Sequence, residues 1–147
     1  MKLRQKKEEY IIIVGCGRLG ANLANTLSDN NGNVLIMDTS KEAFRRLSSD
    51  FGGLSLVGSG TDLDDLHTAR IEKADAVIAV TNDDNINIMV AQLARELFHV
   101  ERVIARLYDP ERESVYQQLG IDTICPAILS AKEVDKLLEQ VKKEEKQ

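Results

Sequence analysis

The sequence has few residues of the kinds that build metal centres or disulfide frameworks. Only two cysteines, Cys16 and Cys125, and two histidines occur among its 147 residues. They form no CxxC pair and no Cys/His spacing typical of zinc sites. We therefore predict no metal site, and we expect both thiols to be reduced, as they are in cytosolic proteins.

Long hydrophobic runs and a basic charge balance are also missing. The apolar run ahead of residue 15 is only YIIIV, which is too short for a signal peptide or a membrane span. The formal net charge of −5 argues against a nucleic-acid partner, because such partners require a basic face. We predict one soluble domain, since a chain of this length leaves no room for a second domain of ordinary size.

The most informative segment that is present is a glycine-rich turn after a run of β-forming residues. The sequence YIIIVGCGRLG places a GxGxxG pattern directly behind a candidate strand. The first glycine of this pattern permits a tight turn, the second lets a pyrophosphate approach the backbone, and the third allows close helix packing. The predicted phosphate-binding residues are Gly15, Cys16, Gly17, Arg18, Leu19 and Gly20.

An acidic residue, Asp38, closes the next apolar run, about 20 residues beyond the glycines. A carboxylate at this position accepts hydrogen bonds from both ribose hydroxyls of an adenosine and repels a 2′-phosphate. Asp38, with Thr39 beside it, is therefore predicted to bind NAD(H), ATP, ADP or AMP rather than NADP. An ordinary aspartate at a helix entry is the alternative interpretation.

Strand and helix patterns alternate from Tyr10 onward, which predicts a parallel sheet. We predict an α/β fold of the Rossmann type, with a doubly wound six-stranded parallel sheet in the order 3-2-1-4-5-6. Residues 1–9 are expected to form a flexible arm, 10–125 the nucleotide-binding domain and 126–147 a C-terminal helix. That amphipathic helix is predicted to cross to a partner subunit or further domain, or else to pack back on its own sheet. The predicted strands are Tyr10–Val14, 34–37, Leu54–Val57, 76–80, 103–107 and 123–125.

Three helical segments are expected to flank the strands of this chain. Ser40 is predicted to cap a helix after the second strand, and a helix over 62–70 is predicted to turn Leu63 and Leu66 inward. The apolar residues of 85–98 are too many for one narrow stripe, so we expect this helix to be buried on more than one side.

Three further groups are expected near a bound nucleotide. Gly58, Ser59, Gly60 and Thr61 follow the third strand, and Thr81 and Asn82 follow the fourth. Both loops would flank the crevice at the carboxyl ends of the strands, although Thr81 and Asn82 also suit helix capping. Arg18 and Arg106 are candidates for phosphate contacts, with a solvated side chain as the alternative for Arg18 and a subunit contact as that for Arg106.

Candidates for catalysis are scarce. His67 and His99 lie far in sequence from any plausible nucleophile, and Asp83, Asp84 and Asn85 are more typical of helix capping than of a metal site. Cys16 is interpreted as a small loop residue, with a redox-sensitive thiol as the alternative. We predict no catalytic residues, and binding without turnover.

The ordered motifs resemble a known family. GCGRLG, Asp38, GSGTDLDDLHTARIEKADAVIAVTNDDNIN, VIARLYDPE and GIDTICP are similar to the nucleotide-binding KTN or RCK N-terminal domain of Trk/Ktr-type potassium-transport regulators. The resemblance covers residues 10–141. It identifies Arg18 with the family's loop arginine, Asp38 with its ribose carboxylate and residues 58–61 with its adenine-side loop.

The resemblance implies a cytoplasmic regulatory subunit at the inner face of the cell membrane. Its partners would be an integral-membrane potassium channel or transporter and further copies of itself, as a dimer or an octameric ring. Exchange of bound adenine nucleotide or NAD(H) would change the ring's geometry. Ser59 departs from the acidic or amide residue of many members, and the RCK C-terminal domain is expected to be absent. A small NAD-dependent oxidoreductase and a nucleotide sensor unconnected with ion transport remain the alternatives.

Overall fold

A computed structural model describes residues 8–145 and shows a parallel sheet with helices on both faces. Its six strands are hydrogen-bonded in the order β3-β2-β1-β4-β5-β6, so the predicted doubly wound Rossmann-type fold is confirmed. Most of the arm predicted for 1–9 lies outside the described residues. The strands are β1 Tyr10–Val14, β2 Asn33–Asp38, β3 Leu54–Val57, β4 Ala76–Ala79, β5 Arg102–Arg106 and β6 Asp122–Ile124.

The central strand β1 determines where a ligand can bind. It pairs in parallel with β2 on one side and β4 on the other, with Val14 opposite both Met37 and Ala79. The chain winds outward in opposite directions from these two pairs, so a crevice opens beyond their carboxyl ends. The predicted strand boundaries hold to within one residue, because continuous apolar runs are typical of strands that are covered on both faces.

The α-helices are α1 Arg18–Asp29, α2 Leu63–Thr68, α3 Asp84–Gln92, α4 Glu113–Gln118 and α5 Pro126–Glu145. A π-helical turn, Leu93–Leu97, continues α3, and short 3₁₀ helices occupy Lys41–Arg46, Ile71–Lys73 and Pro110–Arg112.

The helix predicted after β2 differs from the expectation. It is the 3₁₀ helix Lys41–Arg46, and the side chain of Ser40 makes no capping hydrogen bond. The Ser40 N–H instead donates to Asp38 Oδ1 at 2.8 Å. Asp38 therefore sets the direction in which the chain leaves β2.

Two apolar clusters form the core, one on each face of the sheet. One cluster packs Ile13, Ile36 and Val80 against α1, and the other packs Ile12, Met37 and Val77 against α2 and α3. Leu66 is fully buried as predicted, but the prediction for Leu63 is wrong, since its side chain is exposed. Leu63 is the first residue of α2, whereas Leu66 lies one turn further along the helix and belongs to the core cluster.

The C-terminal helix α5 leaves the rest of the fold. None of its residues is buried, and its leucines and valines, including Leu137 and Leu138, are more than half exposed. It does not pack back on its own sheet, which removes one of the two predicted arrangements. Its apolar side chains between Ala127 and Val141 form an exposed face about 20 Å long.

Candidate functional site

The glycine turn joins β1 to α1, and each of its three glycines is suited to its position for a different structural reason. Gly15 has a φ of +108°, a conformation that other residues rarely adopt, and its N–H donates to the Met37 carbonyl at 2.8 Å. A Cβ on Gly20 would lie 1.8 Å from the Gly15 carbonyl oxygen, so α1 is packed directly against the turn. A Cβ on Gly17 would meet no atom within 4 Å. Gly17 therefore faces open space, as the predicted phosphate approach requires.

Asp38 lies at the carboxyl end of β2, and its carboxylate is held by backbone donors. Oδ2 accepts the Cys16 N–H at 2.8 Å and Oδ1 accepts the Ser40 N–H at 2.8 Å. A carboxylate can accept about four hydrogen bonds, so each oxygen keeps a free lone pair. The two backbone contacts fix the carboxylate beside the glycine turn and leave acceptors for two hydroxyl groups.

A cleft of about 580 Å³ opens above the carboxyl ends of β1, β2 and β4. Its position is the one expected from the strand order, between the two halves of the sheet. It brings together ten of the predicted site residues, namely Gly15, Cys16, Gly17, Asp38, Thr39, Gly58, Ser59, Gly60, Thr81 and Asn82.

The β4 side of the cleft is fixed by Asn87, a fully buried polar residue. Its Oδ1 accepts from the Thr81 N–H at 2.8 Å and from the Thr81 hydroxyl at 2.6 Å. Its Nδ2 donates to the carbonyls of Thr81 and Arg106 at 3.0 and 3.1 Å. Asn87 thus joins α3 to the ends of β4 and β5, and it positions Thr81 in the cleft wall.

The loop after β3 is ordered by its own polar side chains. Asp65 of α2 accepts the Ser59 N–H at 2.9 Å, and the hydroxyls of Ser59 and Thr61 lie 2.8 Å apart. A Cβ on Gly60 would come within 2.7 Å of Val14 and 2.8 Å of Val90. Gly60 is therefore a packing position, and Ser59 remains at the edge of the cleft.

The TrkA-N domain family model matches residues 11–126. The chain belongs to the TrkA-N domain family. The match covers the sheet, the glycine turn and every residue that lines the cleft, and it confirms the resemblance drawn from the sequence motifs.

This TrkA-N domain is similar to a curated relative and to solved structures. It is 50% identical over 115 residues to the Trk system potassium uptake protein TrkA of Streptomyces coelicolor, covering 78% of this chain and 52% of that protein. The GsuK RCK domain superposes with a TM-score of 0.77 at 27% identity, covering 93% of this chain and 29% of the other. GsuK bound to ADP gives 0.75 at 27% identity, covering 90% and 34%. The chain thus spans about half the length of the relative.

Five predicted site residues of the TrkA-N domain lie outside the cleft wall. Gly20 packs behind the turn, and Thr61 holds the Ser59 loop. Arg18 lines a neighbouring shallow cavity, with Arg46 beside it. Leu19 packs into the core cluster on the α1 face of the sheet. The fifth is Arg106, at the end of β5.

Arg106 keeps an unsatisfied buried atom. Its Nε is buried without a hydrogen-bond partner among residues 8–145, and its guanidinium carbon lies 5.4 Å from the centroid of the Tyr108 ring. The aromatic face supplies one attractive contact for the cation. The predicted contact of Arg106 with a phosphate or a subunit stays a prediction.

Cys16 lies in the turn, and its side chain belongs to the core cluster on the α1 face of the sheet. The side chain is fully buried, and Sγ–H donates to the Ala43 carbonyl at 3.4 Å. Burial raises the pKa of this thiol, the negative charge of Asp38 raises it further, and Arg46 partly opposes both effects. A thiol of raised pKa is a poor nucleophile, which favours the interpretation of Cys16 as a small loop residue.

Several cleft residues were not foreseen from the sequence. Ser40, Glu42, Ala43, Arg45 and Arg46 reach the TrkA-N cleft because the segment after β2 folds back over it as a 3₁₀ helix. Ile86 arrives from the first turn of α3. The sequence offered one indication of the residues that follow β2, because a charged segment comes directly after Asp38, the predicted ribose carboxylate.

The polar residues at the start of α3 act on the backbone. Asp83 caps the helix through the N–H groups of Asn85 and Ile86, and Asp84 accepts the Tyr108 N–H at 2.9 Å with each oxygen.

His67 contacts Glu72 through Nδ1 and lies against Phe98. Within residues 8–145 no group of three or more His, Cys, Asp or Glu side chains is placed to hold a metal ion. None of the helices in that range has both the length and the apolar character that crossing a bilayer requires.

Proposed function

We propose that this TrkA-N domain binds an adenine nucleotide or NAD(H) in its cleft and, through that ligand, regulates potassium uptake by a membrane channel or transporter. The observation that carries the proposal is the pairing of an open Gly17 with an anchored Asp38 at the switch point of the sheet. The backbone beside Gly17 suits a diphosphate, and the free lone pairs of Asp38 suit the two ribose hydroxyls.

The remaining cleft residues complete the proposed site. Gly58 and Ser59 border the region beyond Asp38 where an adenine would lie, and Thr81 and Asn82 border the opposite end. In the cleft wall the Cys16 thiol is buried, and Glu42 pairs with Arg45 at 2.9 Å. This arrangement supports binding without turnover.

The proposed role in potassium transport is supported by the similarity of this chain to proteins whose names state a transport or channel function. The relative from Streptomyces coelicolor is a potassium uptake protein, and GsuK is described as a channel with an RCK domain and as bound to ADP. We propose that this chain acts at the cytoplasmic face of the membrane as a homo-oligomer, with a dimer as its unit and an octameric ring as the larger assembly. The exposed face of α5 supports a contact with a partner subunit or a further domain.

Isothermal titration calorimetry with ATP, ADP, AMP, NAD, NADH and NADP tests the proposal. We expect wild-type protein to bind the adenosine ligands and to bind NADP more weakly than NAD, because Asp38 repels a 2′-phosphate. Asp38→Asn should weaken NAD by about tenfold, since a hydrogen bond to a charged group is lost, and should narrow the gap between NAD and NADP. Asp29→Asn removes the same charge at the exposed end of α1 and serves as the control.

Two results would contradict the proposed site. One is the absence of heat from every adenosine ligand with folded wild-type protein. The other is an unchanged preference between NAD and NADP in Asp38→Asn, which would place the ribose elsewhere. The transport role is tested separately, by potassium uptake in cells that carry Asp38→Asn in the full-length protein, where we expect uptake to lose its response to the nucleotide.

A further inference from the structure

Another cavity, of about 380 Å³, lies at the opposite edge of the sheet from the cleft, at the amino ends of β1, β2 and β3. The end of α2 and the short 3₁₀ helix that follows it form the other wall, so we call this space the amino-edge cavity. Its volume is in the range of small-molecule sites, which begins at about 300 Å³. Its lining residues, none of which lines the cleft, are Tyr10, Asn33, Leu35, Leu54, Thr68, Ala69, Arg70 and Lys73.

Two leucines give the amino-edge cavity an apolar floor. Leu35 and Leu54 are paired in the register of β2 and β3, so their side chains lie next to each other on the same face of the sheet. Leu35 is buried, whereas Leu54 is 65% exposed. The Tyr10 hydroxyl donates to the Ala69 carbonyl at 2.5 Å and joins the start of β1 to the end of α2. Leu54 therefore offers apolar surface that a ligand in this cavity would cover.

The charged residues of the amino-edge cavity are both cations. Arg70 and Lys73 line it, and no aspartate or glutamate does. Among residues 8–145 neither cation forms an ion pair, and the carboxylate of Glu72, which precedes Lys73, contacts His67 instead. A negatively charged ligand would thus meet two cations that have no carboxylate partner.

Arg70 occupies a backbone position that glycine fills more easily. It follows Ala69, the C-cap of α2, and its φ of 60° and ψ of 46° are left-handed. Glycine, or less often asparagine, is usual at this position because a Cβ is unfavourable there. The dipole of α2 favours a cation near its end, but a cation within the last turn would meet that demand without the backbone cost. The unfavourable conformation therefore points to a role for the Arg70 side chain outside the fold.

We propose that the amino-edge cavity binds an amphipathic organic anion, whose acidic group pairs with Arg70 and Lys73 and whose apolar body covers Leu54 and Leu35. The two cations select negative charge, and the leucine floor selects an apolar body over a wholly polar ion such as inorganic phosphate. This site is independent of the proposed nucleotide binding, because the amino-edge cavity and the cleft share no residue.

Two dyes of similar shape serve as probes of this chemistry. Anilinonaphthalene sulfonate joins an apolar ring system to one negative charge, and phenylnaphthylamine has the same ring system without the sulfonate. Both fluoresce more strongly in apolar surroundings, so fluorescence titration of the full chain measures their affinities. We expect wild-type protein to bind the sulfonate more tightly than the neutral dye, because only the sulfonate can pair with the cations.

Two substitutions separate the charge of the site from its apolar floor. Arg70→Asn removes the cation, and asparagine tolerates the left-handed conformation. It should weaken the sulfonate about fivefold, the upper value for an exposed ion pair, and change the affinity of the neutral dye by less than about twofold. Leu54→Ser should weaken both dyes by about threefold or more, since apolar contact is lost from each.

The chain offers a matched control for each substitution. Arg112 is an exposed arginine and Val57 is an exposed apolar residue of the same edge strand as Leu54, and neither lines the amino-edge cavity. Arg112→Asn and Val57→Ser should change the affinity of either dye by less than about twofold. Urea unfolding of all four variants verifies that they are folded.

Several outcomes would overturn the proposed anion site. They are wild-type protein that does not bind the sulfonate, equal losses in Arg70→Asn and Arg112→Asn, and equal losses in Leu54→Ser and Val57→Ser. Displacement of the sulfonate by ADP would place the dye in the cleft and would also overturn it. Sulfonate binding that depends on Arg70 and Leu54 in a protein that binds no adenosine ligand would support the anion site and contradict the proposed function alone.

Discussion

The three glycines of the turn show how one residue type meets three different demands. Gly15 is required by its backbone angle, Gly20 by the contact of α1 with the turn, and Gly17 by neither. Because Gly17 has an extended conformation that other residues tolerate and faces open space, we expect its lack of a side chain to matter to a ligand rather than to the fold. Substituting alanine at Gly20 and, separately, at Gly17 distinguishes what the fold requires from what a ligand requires.

We expect Gly20→Ala to lower the free energy of unfolding by about 3 kcal/mol or more, since its methyl group would overlap a backbone oxygen. Gly17→Ala should change it by less than about 1 kcal/mol, because weaker capping is offset by a less flexible unfolded chain. It should nevertheless weaken nucleotide binding. Urea unfolding measures the stability changes of the two variants, and calorimetry measures the change in nucleotide binding. Comparable stability losses in the two variants would show that the contact at Gly20 is not the cause.

Residues whose role follows from local spacing could be predicted from the sequence, and residues whose role depends on distant contacts could not. The places of the turn and of Asp38 in the cleft wall could be predicted because both lie at the carboxyl end of a strand, where a doubly wound sheet opens its crevice. Asn87 was missed because its partner, the Arg106 carbonyl, is 19 residues away. Arg46 was missed because its place in two cavities depends on how the segment after β2 folds back.

At the scale of elements, strands were easier to predict than helices. The four central strands β1, β2, β4 and β5 each contain a continuous apolar run, whereas α2 and α4 have only six residues each and few inward positions. The segment Lys41–Arg46 became a 3₁₀ helix although its pattern fits an α-helix. Its only fully inward position is Ala43, which packs against the thiol of Cys16 and keeps the segment close to the turn.

The independence of α5 can be tested with one substitution at two leucines. Leu66 is fully buried, whereas Leu138 on α5 is 59% exposed. We expect Leu66→Ala to cost about 2–5 kcal/mol of unfolding free energy, and Leu138→Ala to cost less than about 0.5 kcal/mol in dilute solution. A loss for Leu138→Ala that grows with protein concentration would support the proposed subunit contact. A large loss that is independent of concentration would mean that α5 packs on its own domain.

At the scale of the whole molecule, two groups make stability depend on alkaline pH. Burial raises the pKa of the Cys16 thiol above its ordinary value of 9.0 and that of the Tyr10 hydroxyl above 10.0, with Arg70 partly opposing the second shift. Both groups are neutral when protonated, so the folded chain holds these protons more tightly than the unfolded chain. Their contribution to stability is complete below the ordinary pKa values and is lost as the pH rises through the raised ones.

We therefore expect the free energy of unfolding to fall above pH 9.0, with a slope of at most about 1.4 kcal/mol per pH unit for each group. Cys16→Ala should remove the earlier part of this decline and leave the part due to Tyr10. Urea unfolding between neutral and alkaline pH measures the slope, and the difference in tyrosinate absorbance between wild type and Tyr10→Phe isolates Tyr10 from Tyr108 and Tyr116. An identical pH profile in Cys16→Ala would contradict the assignment of the first part to this thiol.

The hydrogen bonds of Asn87 that join α3 to the ends of β4 and β5 restrict how the cleft can change shape. Separating the ends of β4 and β5 would break its contacts with Thr81 and with the Arg106 carbonyl, and would leave polar groups of the fully buried Asn87 side chain without partners. The carboxyl ends of β4 and β5 are therefore held rigidly together below the cleft. We therefore expect any change of shape on ligand binding at the rim, above all in the 3₁₀ helix Lys41–Arg46, whose charged side chains are exposed.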